Sequence, residues 1–167
     1  EEDTFGILID ISWLWEEFIA VKLLNEYGYL HMLTDNSKGS LQWAKGKPWY
    51  PDYIEKGEAN SKRNIFDAKY KFWDWNNDDI HQLLSYLFLT GGDICGIIYP
   101  SPKEQSPKPN PREINAFASF YNTKPKIYAL PLFIPQGEYD DYSEYCKKID
   151  ISIQAWKQSF SAHIATS

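Results

Sequence analysis

The chain has 167 residues, a net charge of −6 and two cysteines. Its length indicates one domain with a sizeable core, and two cysteines exclude a disulfide framework or a cysteine-only zinc site. No apolar run approaches the ~18 residues of a membrane span, and none resembles a signal peptide, so a reducing cytoplasm fits the sequence.

The negative net charge argues mildly against nucleic-acid binding, but the charges are unevenly distributed. The segment 38–71 carries eight basic and four acidic side chains, so it is net +4. The basic residues are Lys38, Lys45, Lys47, Lys56, Lys62, Arg63, Lys69 and Lys71. A locally basic segment on an acidic protein can still contact a phosphate backbone.

A first helix is predicted after the apolar segment 5–11. Ser12 is the expected N-cap, the helix runs to about Glu26, and Gly28 is the expected C-cap. Apolar side chains cover nearly every direction around this helix. We therefore expect it to be buried on several sides.

Two carboxylates interrupt that apolar helix at Glu16 and Glu17. A carboxylate within such a helix needs a partner or a cation. If the helix packs beside the strands that follow, Glu16 could reach a metal there. Glu17 is the competing candidate, and the alternative is that either side chain faces water.

A hairpin is predicted within 48–71, with its two strands joined by the polar turn 55–63. Before it we expect a short strand at 30–34. The segment 35–46 is polar and contains glycine, serine and lysine, so it is predicted to be a loop.

Three ionisable side chains on this hairpin need an explanation. Asp52 lies on the first strand, and Asp67 and Lys69 lie on the second. Because side chains alternate along a strand, Asp67 and Lys69 share a face and Ala68 points the opposite way. Two carboxylates, an amine and a strand carbonyl such as that of Ala68 can hold a divalent metal beside an activated water, as in a nuclease. The alternative is a solvated hairpin with an Asp–Lys surface pair.

A second helix is predicted to begin at Asn76 or Asn77 and to stop at Gly91-Gly92. Its apolar residues recur at helical spacing and indicate one buried face. They are Ile80, Leu83, Leu84, Leu87 and Phe88.

Gln82 and Tyr86 lie four residues apart on this helix and therefore share a face. A glutamine can hold a water or a phosphate, and a tyrosine can donate to a phosphate oxygen. Such a pair occurs on many helices. The pair is evidence for a nuclease site only because it follows the Asp67-x-Lys69 pattern.

The rest of the chain is predicted to contain a buried strand, a loop, two further strands and a helix. They span 94–99, 101–112, 117–121, 126–133 and 138–160. Pro131 and Pro135 place the strand 126–133 at a sheet edge. A helix break near 150–152 and fraying of 161–167 are expected. The order of elements predicts one α/β domain with a mixed sheet and helices packed on it.

Other kinds of site find little support. His31, His81 and His163 lie in unlike contexts without a second histidine or cysteine at ligand spacing, so zinc chemistry is not predicted. The sequence contains no glycine-rich phosphate loop and no serine nucleophile elbow. Cys95 and Cys146 are expected to be buried free thiols.

The motifs together resemble a known superfamily. Pro51-Asp52, Asp67-Ala68-Lys69 and Gln82-x-x-x-Tyr86 are similar to the PD-(D/E)XK nucleases, in the branch with a Gln-x-x-x-Tyr helix. Over about 10–99 the chain resembles the McrC family, the nuclease subunit of the McrBC modification-dependent restriction system. The motifs that carry this resemblance are Trp15-Glu16-Glu17-Phe18, Tyr50-Pro51-Asp52-Tyr53-Ile54, Phe66-Asp67-Ala68-Lys69-Tyr70-Lys71, Gln82-Leu83-Leu84-Ser85-Tyr86 and Gly96-Ile97-Ile98-Tyr99-Pro100.

The resemblance implies a PD-(D/E)XK restriction-endonuclease-like α/β fold, with a central mixed β-sheet flanked by helices. The site residues that it implies are Asp52, Asp67, Lys69, Glu16, Gln82 and Tyr86. The carboxylates of Asp52, Asp67 and Glu16 would bind Mg²⁺, or Mn²⁺ in its place. Lys69 would assist the attacking water, and the remaining two residues would support the site.

The resemblance also implies partners. Such a subunit cleaves modified, double-stranded DNA, while a separate McrB-like AAA+ GTPase recognises the modification and translocates the DNA. No membrane is involved, and a dimer or larger assembly remains open. Family members carry an N-terminal region that engages the motor, for which this chain has no room. We therefore expect 1–167 to be a single nuclease domain, the C-terminal fragment of a longer protein.

A second function is compatible with the same resemblance. The chain would then be a nuclease-fold binding or assembly module that contacts the AAA+ motor through its aromatic side chains without cleaving DNA. Titration with Mg²⁺ or Mn²⁺ separates the two interpretations, because only the nuclease needs the metal.

Overall fold

The computed structural model describes residues 10–32, 41–44, 47–58, 61–103, 110–113 and 124–165. In these ranges the α-helices are α1 (Ile11–Ile19), α2 (Asn77–Thr90) and α3 (Tyr142–His163). The strands are β1 (Tyr29–His31), β2 (Leu41–Ala44), β3 (Lys47–Trp49), β4 (Tyr53–Glu55), β5 (Ile65–Ala68), β6 (Ile94–Ser101), β7 (Asn110–Glu113) and β8 (Lys126–Phe133).

The strands form a central mixed sheet in the order β1-β4-β5-β6-β8-β7. β5, β6 and β8 run parallel to one another, and the other neighbours are antiparallel. β2 and β3 pair separately. The predicted hairpin is present as β4 and β5, and the predicted mixed sheet flanked by helices is confirmed.

Helices cover both faces of this sheet. α1 and α3 pack on one face in a core that includes Trp15, Phe66 and Phe160. α2 packs on the other face, where Ile65 and Leu83 belong to a second core. Neighbouring residues of β5 thus serve opposite cores, as the alternation of strand side chains requires. Each large apolar side chain buried in this way contributes roughly 1.5–3 kcal/mol.

The N-terminus of α1 differs from the prediction. Its N-cap is Asp10 and not Ser12, because the Asp10 carboxylate accepts hydrogen bonds from the N–H groups of Ser12 and Trp13 at 3.0 and 3.2 Å. The expectation that this helix is buried on several sides is also wrong in part. About half or more of each of the following side chains is exposed: Ile11, Trp13, Leu14 and Val21.

The helix changes its winding after α1. A π-helical turn spans Ala20–Leu24, and a 3₁₀ turn spans Asn25–Tyr27. Gly28 then ends the segment with φ +76°, the left-handed conformation that favours glycine, so the predicted C-cap is confirmed.

α2 follows its prediction at both ends. Asn76 is the N-cap and accepts a hydrogen bond from the Asp79 N–H at 3.0 Å, and Gly91 ends the helix with φ +61°. Phe88 is 64% exposed, so its assignment to the buried face is wrong. It follows the buried Leu87 directly and is therefore turned by about 100° around the helix axis.

Several strands lie where the sequence predicted other structure. β1 begins one residue before the predicted strand 30–34, and residues 33–34 lie outside the described part of the chain. β2 lies within the predicted loop 35–46, and β7 overlaps the end of the predicted loop 101–112, so both loops are wrong at those positions. β2 pairs with β3, and pairing with β8 overrides the polar composition of β7. The predicted strand 117–121 also lies outside the described residues, as do positions 5–9 of the predicted apolar segment.

The prediction that prolines place β8 at a sheet edge is wrong. β8 lies between β6 and β7. β7 pairs with β8 only over 126–129, whereas Pro131 lies beyond that pairing and opposite Tyr99 of β6. Pro131 thus sits where one side of an inner strand has no partner among the described strands.

α3 is a continuous helix, so the predicted break at 150–152 is wrong. Ser152 Oγ donates to the carbonyl of Lys148 at 3.2 Å within it. The helix extends to His163, which also contradicts fraying from residue 161. Cys95 is buried as expected, whereas Cys146 is only half-buried. Among the described residues, no helix is both long and apolar enough to cross a membrane.

Candidate metal centre

Two aspartates meet where β4 begins and β5 ends. Asp52 immediately precedes β4, and its Oδ2 accepts a hydrogen bond from the Ala68 N–H of β5 at 2.6 Å. The backbone carbonyl of Asp52 accepts a second hydrogen bond from the Met32 N–H at 3.0 Å. Asp67 lies one residue before Ala68 and is buried. The pairing of the strands therefore fixes the position of both carboxylates.

Lys69 lies on the same side of the strand as Asp67, as predicted. Its Nζ is 2.5 Å from Asp67 Oδ2 and 3.7 Å from Asp79 Oδ1. The side chains of Asp67 and Lys69 are only 3% and 23% exposed. The alternative of a solvated surface pair is therefore wrong.

The burial of these charges shifts their protonation. Burial raises the pKa of Asp52 well above the usual carboxyl value, and the charges of Asp67 and Glu16 raise it further, against the hydrogen bond from Ala68. Burial alone would lower the pKa of Lys69. The carboxylates of Asp67, Asp79 and Asp52 outweigh that effect, so the pKa of Lys69 lies above its usual value.

α1 brings both glutamates to a buried histidine of β1. Glu16 Oε2 lies 3.7 Å from His31 Nε2, and Glu17 Oε1 lies 3.3 Å from His31 Nδ1. Tyr53 Oη donates to the backbone carbonyl of Glu16 at 2.7 Å, which ties α1 to β4. The charge of Glu16 acts on Asp52, so it is Glu16 that stands near the aspartate pair.

Gln82 and Tyr86 form a chain of hydrogen bonds that ends beside Asp52. Gln82 Nε2 donates to Tyr86 Oη at 2.8 Å, and Tyr86 Oη donates to the carbonyl of Tyr50 at 3.3 Å. Burial raises the pKa of Tyr86 to about 12, so its hydroxyl remains a donor at neutral pH. The pair thus supports the backbone segment that carries Asp52.

Two residues near the site escaped the sequence analysis: Asp79 and His31. Asp79 Oδ2 accepts hydrogen bonds from Trp73 Nε1 at 2.9 Å and from Asn76 Nδ2, which leaves Oδ1 facing Lys69. The Asn76-x-x-Asp79 capping pattern was a signal for Asp79. His31 gave no signal, because its partners come from another element.

The oxygen atoms present suit a hard divalent cation. Asp67 Oδ2 is buried with Lys69 as its charged partner, Glu16 Oε2 is buried and accepts no hydrogen bond from the described residues, and Asp52 lies against Asp67. Buried carboxylates that repel one another are stabilised by a cation. In the described ranges, no three aspartate, glutamate, histidine or cysteine side chains are grouped so that they could hold a metal ion. Mg²⁺ needs no such group of three, because it binds through one or two carboxylates and retains waters.

The basic segment is partly engaged in ion pairs within the protein. Lys62 Nζ lies 3.1 Å from Asp93 Oδ1, and Lys69 is held by Asp67. Lys56 and Lys71 are exposed. The lysines at 38 and 45 lie outside the described residues.

Comparison with known proteins gives two similarities. A family model described as "McrBC 5-methylcytosine restriction system component" matches residues 1–100. The fold is similar to that of a chain in the solved "Refined half-complex from tetradecameric assembly of Thermococcus gammatolerans McrB AAA+ hexamers with bound McrC", with a TM-score of 0.59 and 17% identity. That match covers 95% of this chain and 34% of the other. No curated protein matches the sequence.

Proposed function

Since the chain belongs to the McrBC 5-methylcytosine restriction system component family, we propose that it is the Mg²⁺-dependent endonuclease subunit of a modification-dependent restriction system. Its substrate would be modified, double-stranded DNA, and its reaction the hydrolysis of a phosphodiester bond. The observation that carries this proposal is the pairing of the buried Asp67 with the half-buried Asp52, with Lys69 held against Asp67.

The carboxylates are the proposed cation ligands. Asp52 and Asp67 would hold Mg²⁺ or Mn²⁺, with Glu16 completing the acidic side of the site. When bound, the metal supplies Lewis-acid polarisation of the scissile phosphate. The protein contributes by holding these oxygens in place before the metal arrives.

Lys69 acts as a charged donor in this proposal. Its pKa lies above the usual lysine value, so the ammonium form predominates at neutral pH. An ammonium group can orient the attacking water and offset the negative charge that grows on the phosphate. It does not serve as the base that removes the proton.

The reaction that follows is an in-line displacement at phosphorus. The water oxygen forms a bond to phosphorus while the bond from phosphorus to the 3′ oxygen breaks. The water proton passes to solvent, and the leaving oxygen is released as a hydroxyl. Basic side chains around the hairpin would contact the phosphate backbone of the DNA without recognising its base sequence.

The partner we propose is an AAA+ GTPase that recognises modified DNA and delivers it to this site, in the cytoplasm. Family membership and the fold shared with a chain of an McrB–McrC complex support this proposal. The chain spans about a third of the length of that solved chain, so the test uses the full-length protein.

The test is a DNA cleavage assay of the full-length protein with and without its GTPase partner. Methylated and unmethylated DNA are compared, with Mg²⁺ or with EDTA. We expect cleavage only of methylated DNA, with both proteins, GTP and Mg²⁺ present, and none from the Asp67→Ala protein. If the Asp67→Ala protein still cleaved DNA, the site around Asp67 would not be the one that catalyses the reaction.

The second candidate is an assembly module without cleavage. It is favoured by the exposed apolar side chains along α1 and the π-helical turn that follows it, among them Trp13 and Val21. This role requires no metal. A complex with the GTPase that assembles normally but binds neither Mg²⁺ nor Mn²⁺ would support it over the nuclease.

A further inference from the structure

His31 lies between the two glutamates of α1 and beside the proposed metal ligands. Its side chain is 4% exposed, and its two ring nitrogens each face a different carboxylate. Nε2 faces Glu16 at 3.7 Å, and Nδ1 faces Glu17 at 3.3 Å. One imidazole therefore bridges two consecutive residues of a helix.

The position of this imidazole is fixed by the sheet. His31 is paired with Tyr53 across β1 and β4, and their rings are 5.3 Å apart. Tyr53 in turn donates to the backbone carbonyl of Glu16. The next residue of the chain, Met32, donates to the carbonyl of Asp52. The same strand thus holds the backbone of one proposed ligand and the side chain that faces another.

The negative charges of the site explain why Glu16 needs a fixed partner such as the imidazole of His31. Glu16 and Asp52 are both carboxylic acids on the acidic side of the site, so they repel each other whenever both are ionised. The side chains of Glu16 and Glu17 are 18% and 27% exposed, so each has a route toward water. Without an opposing donor, repulsion from Asp52 would favour rotation of Glu16 away from the site.

We propose that His31 is a positioning residue that keeps the carboxylate of Glu16 directed toward Asp52, while Glu17 anchors the other side of the imidazole. This inference rests on the proposed metal-dependent function. Partners that orient metal ligands typically change metal affinity by about 10–100-fold when they are removed. His31 acts through Glu16 and does not itself bind the metal in this proposal.

The test uses substitutions that retain one ring nitrogen at a time. The amide of His31→Gln places a donor near the position of Nε2, which faces Glu16. The amide of His31→Asn places a donor near the position of Nδ1, which faces Glu17. The matched control is His81→Ala, an exposed histidine on α2. Mn²⁺ affinity is measured by calorimetric titration of the full chain, and near-UV circular dichroism confirms folding.

The expected order of Mn²⁺ affinity is wild type, then His31→Gln, then His31→Asn, with His31→Ala weakest and about 10–100-fold below wild type. His81→Ala should match wild type. A folded His31→Asn protein that equals or exceeds His31→Gln would overturn the positioning role, because a donor near the position of Nε2 would then give Glu16 no advantage. Wild-type affinity in all His31 variants would also overturn it and leave the proposed nuclease intact. A wild-type protein that binds no Mn²⁺ would overturn both.

Discussion

At the scale of single residues, Asp67 allows catalysis and folding to be separated. Asp67→Asn keeps the shape of the side chain but removes a metal ligand and the repulsion with Asp52. We expect cleavage to fall by at least about 10²–10³-fold, while the protein still folds, because the loss of repulsion from Asp52 opposes the loss of the ion pair with Lys69. Lys69→Ala should lose cleavage to a similar extent.

The matched control for these variants is Asp93→Asn. Asp93 also pairs with a lysine, Lys62, but on the exposed surface. Its loss should change cleavage little and stability by less than about 1 kcal/mol. Equal cleavage by Asp67→Asn and Asp93→Asn proteins would place the reaction elsewhere.

Asp52 makes a second residue-scale prediction, for pH dependence without metal. Its raised pKa means that the folded protein binds this proton more tightly than the unfolded chain, whose value is near 3.8. Stability is therefore favoured while Asp52 is protonated, and its contribution declines as the pH rises from 3.8 through the raised value. Asp52→Asn should remove this decline.

The measurement is the free energy of unfolding in urea, in EDTA, at a series of pH values from acid to neutral. The difference between wild type and Asp52→Asn isolates the one carboxyl group from all other titrating groups. Parallel pH profiles for the two proteins would contradict the prediction.

The residues of the site differ in how far the sequence could reveal them. Asp67 and Lys69 lie two residues apart on one strand, so their spacing was enough to predict a shared face, whereas the metal site that they would form with Asp52 stays a prediction. His31 reaches Glu16 only through the pairing of β1 with β4 and the packing of α1. Such a contact depends on the arrangement of three elements and has no signature in local spacing.

At the scale of elements, α2 supports the start of β4. Tyr86→Phe removes the hydroxyl that links Gln82 to the carbonyl of Tyr50. The segment before Asp52 then loses its hydrogen bond to α2. We therefore expect the cleavage rate and the Mg²⁺ affinity to fall by about 10-fold or more. Gln82→Ala should reduce both less, because Tyr86 can still donate to Tyr50.

The readouts for this prediction are the cleavage rate and the Mg²⁺ concentration for half-maximal rate. Ser85→Ala serves as the control, since its hydroxyl is exposed and donates only within α2, to the carbonyl of His81. If the Tyr86→Phe and Ser85→Ala proteins had the same cleavage rate and Mg²⁺ requirement, the Gln82–Tyr86 motif would have no role beyond the structure of the helix.

The close approach of β6 to β8 gives a prediction about stability. A Cβ atom on Gly96 would lie 2.8 Å from the carbonyl oxygen of Tyr128 and 3.1 Å from the ring of Phe66. Gly96→Ala must therefore push the central parallel strands apart, at a cost of about 1–3 kcal/mol. Unfolding in urea measures this loss of stability, and substitution of the exposed Gln154 by alanine is the control. An unchanged unfolding midpoint for Gly96→Ala would show that the strands can move apart without cost.

Element prediction succeeded where local signals agreed and failed where tertiary pairing decided. The capping residues Asn76 and Gly91 identified both ends of α2. Asp10 was missed as the N-cap because Ser12 offered an equally good local signal. Pro131 suggested an edge strand, whereas β8 lies inside the sheet and, among the described residues, its pairing with β7 stops at Ala129, before Pro131.

At the scale of the whole molecule, metal binding should stabilise the entire fold. The proposed ligands come from α1, β5 and the residue before β4, so unfolding disperses them. Saturation to 100 times the dissociation constant adds about 2.7 kcal/mol, which raises the unfolding midpoint by about 5–10 °C in a chain of this size. The double variant Asp52→Asn, Asp67→Asn should show no such rise.

Differential scanning calorimetry with Mg²⁺, Mn²⁺ or EDTA measures this effect. NaCl at equal ionic strength controls for non-specific screening of the acidic surface. An equal shift in wild type and double variant would locate the cation elsewhere on the molecule.

The overall architecture was predictable because alternating strands and helices leave few arrangements. The order of the sheet was not, since nothing local indicates that β8 inserts between β6 and β7. The π-helical turn after α1 could not be predicted either, because its five residues have the composition of an ordinary α-helix.

That wide turn preserves the angular phase of the first helix. It accommodates one residue more than an α-helical turn, so the chain before it and the chain after it stay in phase around the common axis. Deleting a single residue from Ala20–Leu24 would restore regular winding while Leu23 and Leu24 stay anchored in the core. The preceding turns would keep their orientation, and Glu16 would stay on its side of the helix. A codon lost between Glu16 and this turn would instead rotate Glu16 by about 100° around the helix axis, and so would dismantle the acidic half of the site without removing any of its side chains.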